Sequence, residues 1–209
     1  MRLGILGTGT LAAALGEGWA RAGHDLAVAG RSAAKARELA ARLGGGVRAL
    51  PPREAVAGRD AVLLAVSWHG AEDMLRAAGA DGGALEGITL IDPTNAVEHG
   101  VGVLLAGPGE SMATRIAALA PGAHVVKAFN VFPSEQWTGG TRPVTVAMCG
   151  DDPRALEVTG ALVRDVGAVP AVLGPLERAR QLEEVAGFVI GLAFAGTDPG
   201  SAVPAGDIP

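Results

Sequence analysis

Short aliphatic runs alternate with segments whose apolar residues recur every three or four positions along nearly the whole chain. Arg2–Leu6 predicts a strand, and Leu11–Ala22 a helix closed by Gly23. Asp25–Ala29 predicts a second strand, and Ala33–Leu43 a helix closed by Gly44. A brief strand at Val47–Leu50, a helical turn at Arg53–Ala57, a strand at Ala61–Val66 and a helix at Ala71–Ala78 follow. Ile88–Ile91 reads as a strand and Ser111–Leu119 as a helix with a serine cap. Strands are expected at His124–Ala128, Val144–Met148 and Val169–Leu173. A helix at Arg154–Val166 enters through Asp152-Pro153, and a long helix at Pro175–Ala195 closes the pattern. Strands this short and this apolar, alternating with helices, imply an α/β fold: a doubly wound parallel sheet covered on both faces.

The first strand–helix junction carries chemistry. Gly7-Thr8-Gly9-Thr10-Leu11-Ala12 fits the G-x-G-x-x-A form of the dinucleotide (Rossmann) fingerprint. Gly7 would allow the tight turn, Gly9 would let the backbone approach a pyrophosphate, and Ala12 would keep helix and sheet close. The amides from Thr8 to Leu11 lie at the positive end of the helix and suit phosphate. The next strand end lacks the acid that usually holds a bare ribose. Asp25 stands at the wrong end of that strand, and the carboxyl end offers Gly30, Arg31 and Ser32, with Lys35 one turn on. A guanidinium, a hydroxyl and an ammonium suit a 2′-phosphate, so NADP(H) is expected rather than NAD(H).

In such sheets ligands lie at the carboxyl ends of the strands. Those ends hold Val66-Ser67-Trp68-His69, Asp92-Pro93-Thr94-Asn95 and the run from Lys127 to Pro133. Trp68 can wall the dinucleotide or simply pack, and His69 can bond a ribose or a phosphate. Asn95 suits a nicotinamide carboxamide or an Asx turn. Lys127, Asn130 and Phe132 lie where a second planar ligand could stack; the bland alternatives are a surface charge for Lys127 and core packing for the phenylalanines. No Ser–His–Asp set and no metal-ligand spacing stands out among His24, His69, His99, His124 and the single Cys149, which reads as a buried inert thiol. Direct hydride transfer between two bound rings needs orientation more than an acid–base pair, and is compatible with this inventory.

Composition narrows the setting. The chain has 209 residues, 49% hydrophobic and 19% charged, with a net charge of −5 and no basic run, so nucleic acid is not an expected partner. One cysteine fits a reducing compartment, and no secretory signal is visible. The most apolar segment, Val185–Gly196, is too short for a membrane span, so a cytoplasmic protein is expected. Apolar all round, it needs cover on every side. Gly187 and Gly191 would admit a partner helix, and a homodimer through this C-terminal helix is expected, with insertion into the chain's own core as the alternative. The expected division is a dinucleotide-binding domain over 1–150, a smaller part with the dimerising helix over 151–196, and a mobile tail over 197–209.

Taken in order, Gly4-Ile-Leu-Gly-Thr-Gly9, the Gly30-Arg31 junction, Val125-Val-Lys-Ala-Phe-Asn130, Cys149-Gly-Asp-Asp152 and Gly174-Pro-Leu-Glu-Arg-Ala-Arg180 resemble the NADP-dependent reductases of the deazaflavin coenzyme F420. The cytosolic domain of six-transmembrane ferric reductases is similar. This resemblance implies hydride exchange between NADP(H) and a deazaflavin lying against the nicotinamide. It implies that Thr8, Gly30, Arg31 and Lys35 border the 2′-phosphate, and that Asn130 and Phe132 lie beside the stacked rings. The chain departs from the pattern at Gly30, where some members have serine, at Asn130, where some have histidine, and at Ser67 and Ala96, which replace prolines. The sequence is therefore read as an NADP(H)-dependent oxidoreductase acting on coenzyme F420 or a flavin. The competing readings are a redox-sensing module without turnover and a reductase of a small imine or keto acid.

Overall fold

A computed structural model describes residues 1–138 and 142–203. Eight strands form one sheet in the order β3-β2-β1-β4-β5-β6-β7-β8. They are β1 (Arg2–Leu6), β2 (Asp25–Ala29), β3 (Arg48–Ala49), β4 (Ala61–Leu64), β5 (Thr89–Asp92), β6 (His124–Lys127), β7 (Thr145–Gly150) and β8 (Val169–Gly174). The helices are α1 (Thr10–Arg21), α2 (Ala33–Leu43), α3 (Pro52–Val56), α4 (Ala71–Ala78), α5 (Met112–Leu119), α6 (Pro153–Asp165) and α7 (Ala179–Phe194). The expected doubly wound α/β architecture is the observed one.

Both faces of the sheet are buried, which explains the unbroken apolar strands. Leu3, Ile5, Leu26, Val28, Ala61 and Leu63 point into the core under α1, α2 and α6. Ala27, Ala29, Val62, Leu64 and Leu90 point into the core under α3, α4, α5 and α7. The order of the first six strands places the switch point between β1 and β4, above the glycine turn.

One strand departs from the parallel pattern. β7 runs antiparallel to β6, with Lys127 opposite Cys149, whereas β8 runs parallel to β7. The cause is the connection. Between β6 and β7 the described chain offers only a short 3-10 turn, Ser134–Trp137, and a parallel neighbour would need a full crossover. Between β7 and β8, α6 supplies that crossover. It starts as expected, with the Asp152 side chain accepting from the Ala155 amide at 2.7 Å. The sheet continues across the expected boundary near Asp151, since β8 joins it and α6 packs on β5 and β6 as well.

The last helix corrects an expectation. Pro175–Ala195 is not one helix: a 3-10 turn at Leu176–Arg178 leads into α7. Gly187 and Gly191 are also not open to a partner helix. The chain's own loop after β5 lies against them, and a Cβ at Gly187 would run into the Gly102 carbonyl, one at Gly191 into that of Val101 at 2.9 Å. His99 on the same loop meets the Phe194 ring edge-on at 5.0 Å. The glycines serve an internal close approach, while Val185, Phe188 and Phe194 stay exposed. Of the expected mobile tail, Pro199–Ala202 forms one 3-10 turn, and residues 204–209 lie outside the described residues.

Candidate functional site

The glycine turn between β1 and α1 borders a cleft of about 540 Å3. Gly7 has φ 137°, and a Cβ there would run into the backbone carbonyl of Ala65 at the end of β4. Glycine is demanded by the fold itself at this position. Gly9 is a different case. Its φ of −81° suits any residue, and an added Cβ would meet no protein atom within 4 Å. The space over Gly9 is a cradle that a side chain would fill, which is what a backbone approach to a pyrophosphate requires. Gly9 is the N-cap of α1, and no side chain caps this helix, so its first-turn amides remain free to meet an anion.

The carboxyl end of β2 closes one side of the cleft. Gly30, Arg31, Ser32 and Lys35 all line it, together with Thr8. Arg31 and Lys35 are exposed, and neither pairs with a carboxylate among the described residues. Ser32 caps α2, its hydroxyl oxygen accepting from the Lys35 amide at 3.3 Å, which leaves its O–H free to donate. Gly30 is explained by Thr8: a Cβ at position 30 would come within 2.9 Å of Thr8 Cγ2. Thr8 occupies the room a serine would need there, and brings a hydroxyl to the same wall. Asp25, at the far end of β2, bonds Arg48 at 3.0 Å and Arg59 at 3.4 Å. No acid faces the cleft from this strand.

Of the expected cofactor residues, Gly7, Thr8, Gly9, Gly30, Arg31, Ser32, Lys35, Val66 and Ser67 line the one cleft. Thr10 and Leu11 stand beside it in the first turn of α1. The sequence reasoning missed Ala65, Gly70 and Met74, which complete the wall opposite Arg31. Trp68 turns away into a second cavity of about 500 Å3, with Ala96, Glu110, Ser111 and Arg115. Its ring stacks on His69 at 3.6 Å between centroids, so Trp68 packs, and the cavity it lines is not the glycine-turn cleft. Asn130 and Phe132 line a third cavity of about 360 Å3, with Thr145, Leu173 and Leu182.

Asn95 and Asn130 bond one another. Asn95 Nδ2 donates to the Asn130 carbonyl at 2.7 Å, and Asn130 Nδ2 donates to Asn95 Oδ1 at 3.0 Å and to the Leu182 carbonyl at 3.0 Å. The Asx turn expected at Asn95 belongs instead to Asp92, whose Oδ1 accepts from the Thr94 amide at 2.8 Å. Asn130 has spent both donors on the protein, and its Oδ1 is buried without a partner. Phe129, with φ 61°, turns the chain so that Asn130 faces α7. Its ring is clamped edge-on by Trp137 at 5.3 Å and Trp19 at 6.1 Å, so the core reading of Phe129 is correct.

Lys127 is neither a surface charge nor a stacking partner for a ligand. Its side chain is fully buried between Asp92 and Glu183, at 2.9 and 2.8 Å. Sequence reasoning missed this triad. A lysine at the end of an apolar strand was its only signal, because both partners come from other elements. Cys149 is buried, and burial pushes its thiol up to about 11, with the Arg178 and Lys127 charges pulling the other way; it is inert, as expected. Arg59 and Asp60, whose proton affinities also shift, lie at the amino ends of the strands, away from the cleft. No helix among the described residues is long and apolar enough to cross a membrane.

Comparison with known proteins agrees with this geometry. The chain is 27% identical over 191 residues to the metalloreductase STEAP3 of Rattus norvegicus, a match covering 88% of this chain and 36% of that protein. The chain thus spans about a third of this curated relative. A solved structure from Arthrobacter sp. FB24, provisionally assigned as an F420-dependent NADP reductase, superposes with a TM-score of 0.81 at 22% identity, covering 94% and 96% of the two chains. An imine reductase from Myxococcus stipitatus, solved with NADP+, superposes with a TM-score of 0.71 at 18% identity, covering 94% of this chain and 63% of that one. At these identities the superpositions speak for the fold. Residues 2–96, the glycine turn and the strand ends that form the cleft, match the family model described as NADP oxidoreductase, coenzyme F420-dependent, a likeness that covers a little under half of the chain.

Proposed function

We propose that the chain binds NADP(H) in the glycine-turn cleft and passes a hydride between it and a deazaflavin such as coenzyme F420, or a flavin. The observation that carries the coenzyme choice is the wall of Arg31 and Lys35. Two exposed cations without acidic partners sit at the amino end of α2, where a helix disfavours positive charge. A 2′-phosphate offsets that cost, and the guanidinium fork and the Ser32 hydroxyl match its oxygens. The amides around Gly9 take the pyrophosphate. Bound NADP(H) supplies the hydride, and the protein supplies orientation.

The acceptor reading rests on the family and on the shape of the chain's far end. The Asn95–Asn130 pair does not ionise, and reduction of an imine or a keto acid needs a proton donor beside the reacting carbon. Transfer between two stacked rings asks only for placement and exclusion of water. That favours the deazaflavin or flavin over the small-molecule reading. The test is NADPH oxidation followed at 340 nm with deazaflavin, free flavin, a cyclic imine and no acceptor side by side. Turnover with a ring acceptor supports the proposal. Tight NADPH binding without turnover would favour a sensor, and turnover with the imine alone would sink it.

The assembly is part of the same proposal. Six of the ten exposed large hydrophobics among the described residues (Val101, Val103, Leu105, Val185, Phe188 and Phe194) lie on α7 and the loop docked on it. A second copy meeting this face through the side chains, rather than through the glycines, would cover them. Light scattering across concentrations should give twice the chain mass, and Phe188→Glu should return the monomer. A monomer at all concentrations contradicts the pairing.

A further inference from the structure

We infer that Lys127, Asp92 and Glu183 form the positioning device that holds the nicotinamide end of the site; the inference rests on the NADP(H) reading above. All three side chains are fully buried. Lys127 Nζ donates to Asp92 Oδ2 at 2.9 Å, contacts Glu183 Oε1 at 2.8 Å, and also donates to the Thr94 carbonyl. Asp92 Oδ1 accepts from the Thr94 amide at 2.8 Å and from its hydroxyl at 2.6 Å. Glu183 accepts from the Met112 amide at 2.9 Å and from the Ala113 amide at 3.2 Å, at the start of α5. One ammonium faces two carboxylates, and backbone amides and the Thr94 hydroxyl fill the carboxylates' remaining positions.

Stability alone does not account for such a cluster, because well-packed apolar residues of the same size usually do as well or better. What the charges supply is registry between chain segments. The three residues belong to β5, β6 and α7, and each stands beside a residue of the Asn95–Asn130 pair. Thr94, held from both its amide and its carbonyl, precedes Asn95. Lys127 is three residues before Asn130, across the left-handed turn at Phe129. Glu183 follows Leu182, whose carbonyl accepts from Asn130 Nδ2 at 3.0 Å. The segments that carry the pair, at the ends of β5 and β6 and on α7, are therefore tied to one another through one buried lysine. In a doubly wound sheet the half from β4 to β6 faces the nicotinamide, while the half from β1 to β3 faces the adenosine. Two of the three residues, Asp92 and Lys127, end strands of the first of these halves, and Glu183 reaches them from α7.

This division gives the test. Calorimetric titration of the full chain with NADPH and with 2′,5′-ADP separates the two halves, since the second ligand lacks the nicotinamide. Glu183→Gln keeps the shape and removes one anchor. We expect 2′,5′-ADP affinity within twofold of the parent, NADPH affinity about tenfold weaker, and kcat about tenfold lower with a ring acceptor. A merely structural role would lower the melting temperature and leave both affinities and kcat unchanged, and that result overturns the inference. Equal weakening of both ligands overturns it too. Should Glu183→Gln not fold, the neutral set Asp92→Asn, Lys127→Met and Glu183→Gln removes all charge at once, and the same split between ligands is expected. A parent chain that binds neither ligand refutes the NADP(H) reading itself, a result distinct from either failure above.

Discussion

The two ends of the site are built by different means. At the proposed adenosine end, each wall comes from one short run: the turn from Gly7 to Leu11, the junction from Gly30 to Lys35, and the segment from Ala65 to Met74. At the proposed nicotinamide end, Asn95 meets Asn130 and Lys127 meets Asp92 and Glu183, partners from 35 to 56 positions apart. The first end is open, charged and made largely of backbone. The second is closed, internally paired and made of side chains. The first can be read as a motif, and the second exists only once the sheet has formed. The contrast suggests a division of labour, with affinity and coenzyme choice set at one end and ring placement at the other.

The largest effect is expected at Gly7. An alanine there takes a strained φ and drives its Cβ into the Ala65 carbonyl, so Gly7→Ala should cost roughly 2–4 kcal/mol by urea unfolding and abolish NADPH binding. A stable, binding-competent variant would show that β4 yields at the switch point, and that the turn is less fixed than its geometry. Next comes Arg31→Glu. Replacing the guanidinium with a carboxylate should weaken NADPH binding about 30- to 100-fold, on the order of 2–3 kcal/mol, while NADH binding changes little. Equal losses for both coenzymes would remove the phosphate from this wall.

How much of this was legible follows the same line. The fold class, most elements and nine cleft-lining residues were readable, because short apolar runs and a glycine fingerprint are local signals. The reversal of β7 was not, since it shows only in the pairing of Lys127 with Cys149 across the finished sheet. The purpose of Gly187 and Gly191 was misread because spacing on a helix says that something comes close, not what. Here it is the loop around Gly102. Lys127 was misread because a lone lysine is most often solvated, and its two carboxylates arrive from β5 and α7. Asn130 is expected from the sequence beside the stacked rings, but its spent donors depend on Leu182 and Asn95 and so on tertiary structure.

Gly9 sharpens the comparison, because it sits two residues from Gly7 and should behave oppositely. Nothing in the protein resists a methyl group there, and the change costs only the preference of a helix N-cap for glycine over alanine. Gly9→Ala should lower stability by no more than about 1 kcal/mol and weaken NADPH about tenfold, by crowding the pyrophosphate. A stability loss as large as that of Gly7→Ala would mean that both glycines serve the fold, and the cradle would lose its meaning.

The smallest effect is expected at the amino ends of the central strands, away from the cleft, and it tests whether the two ends are independent of the rest. Asp60 accepts from the Arg2 backbone amide at 2.7 Å and from its guanidinium at 3.0 Å, and these bonds hold its carboxyl below the ordinary 3.8. A carboxyl with a lowered folded value stabilises the protein fully above the unfolded value, and loses that contribution as pH falls through the folded one. Asp60→Asn should therefore destabilise by less than about 1 kcal/mol at neutral pH, the pair being well exposed. The gap between parent and variant should stay level down to about pH 5 and close below pH 4, as the parent's own carboxyl takes up its proton. Affinities for NADPH and 2′,5′-ADP should not move at any pH in that range. If they did, the strand amino ends would be coupled to the cleft through the sheet, and the site could no longer be divided into two locally built ends.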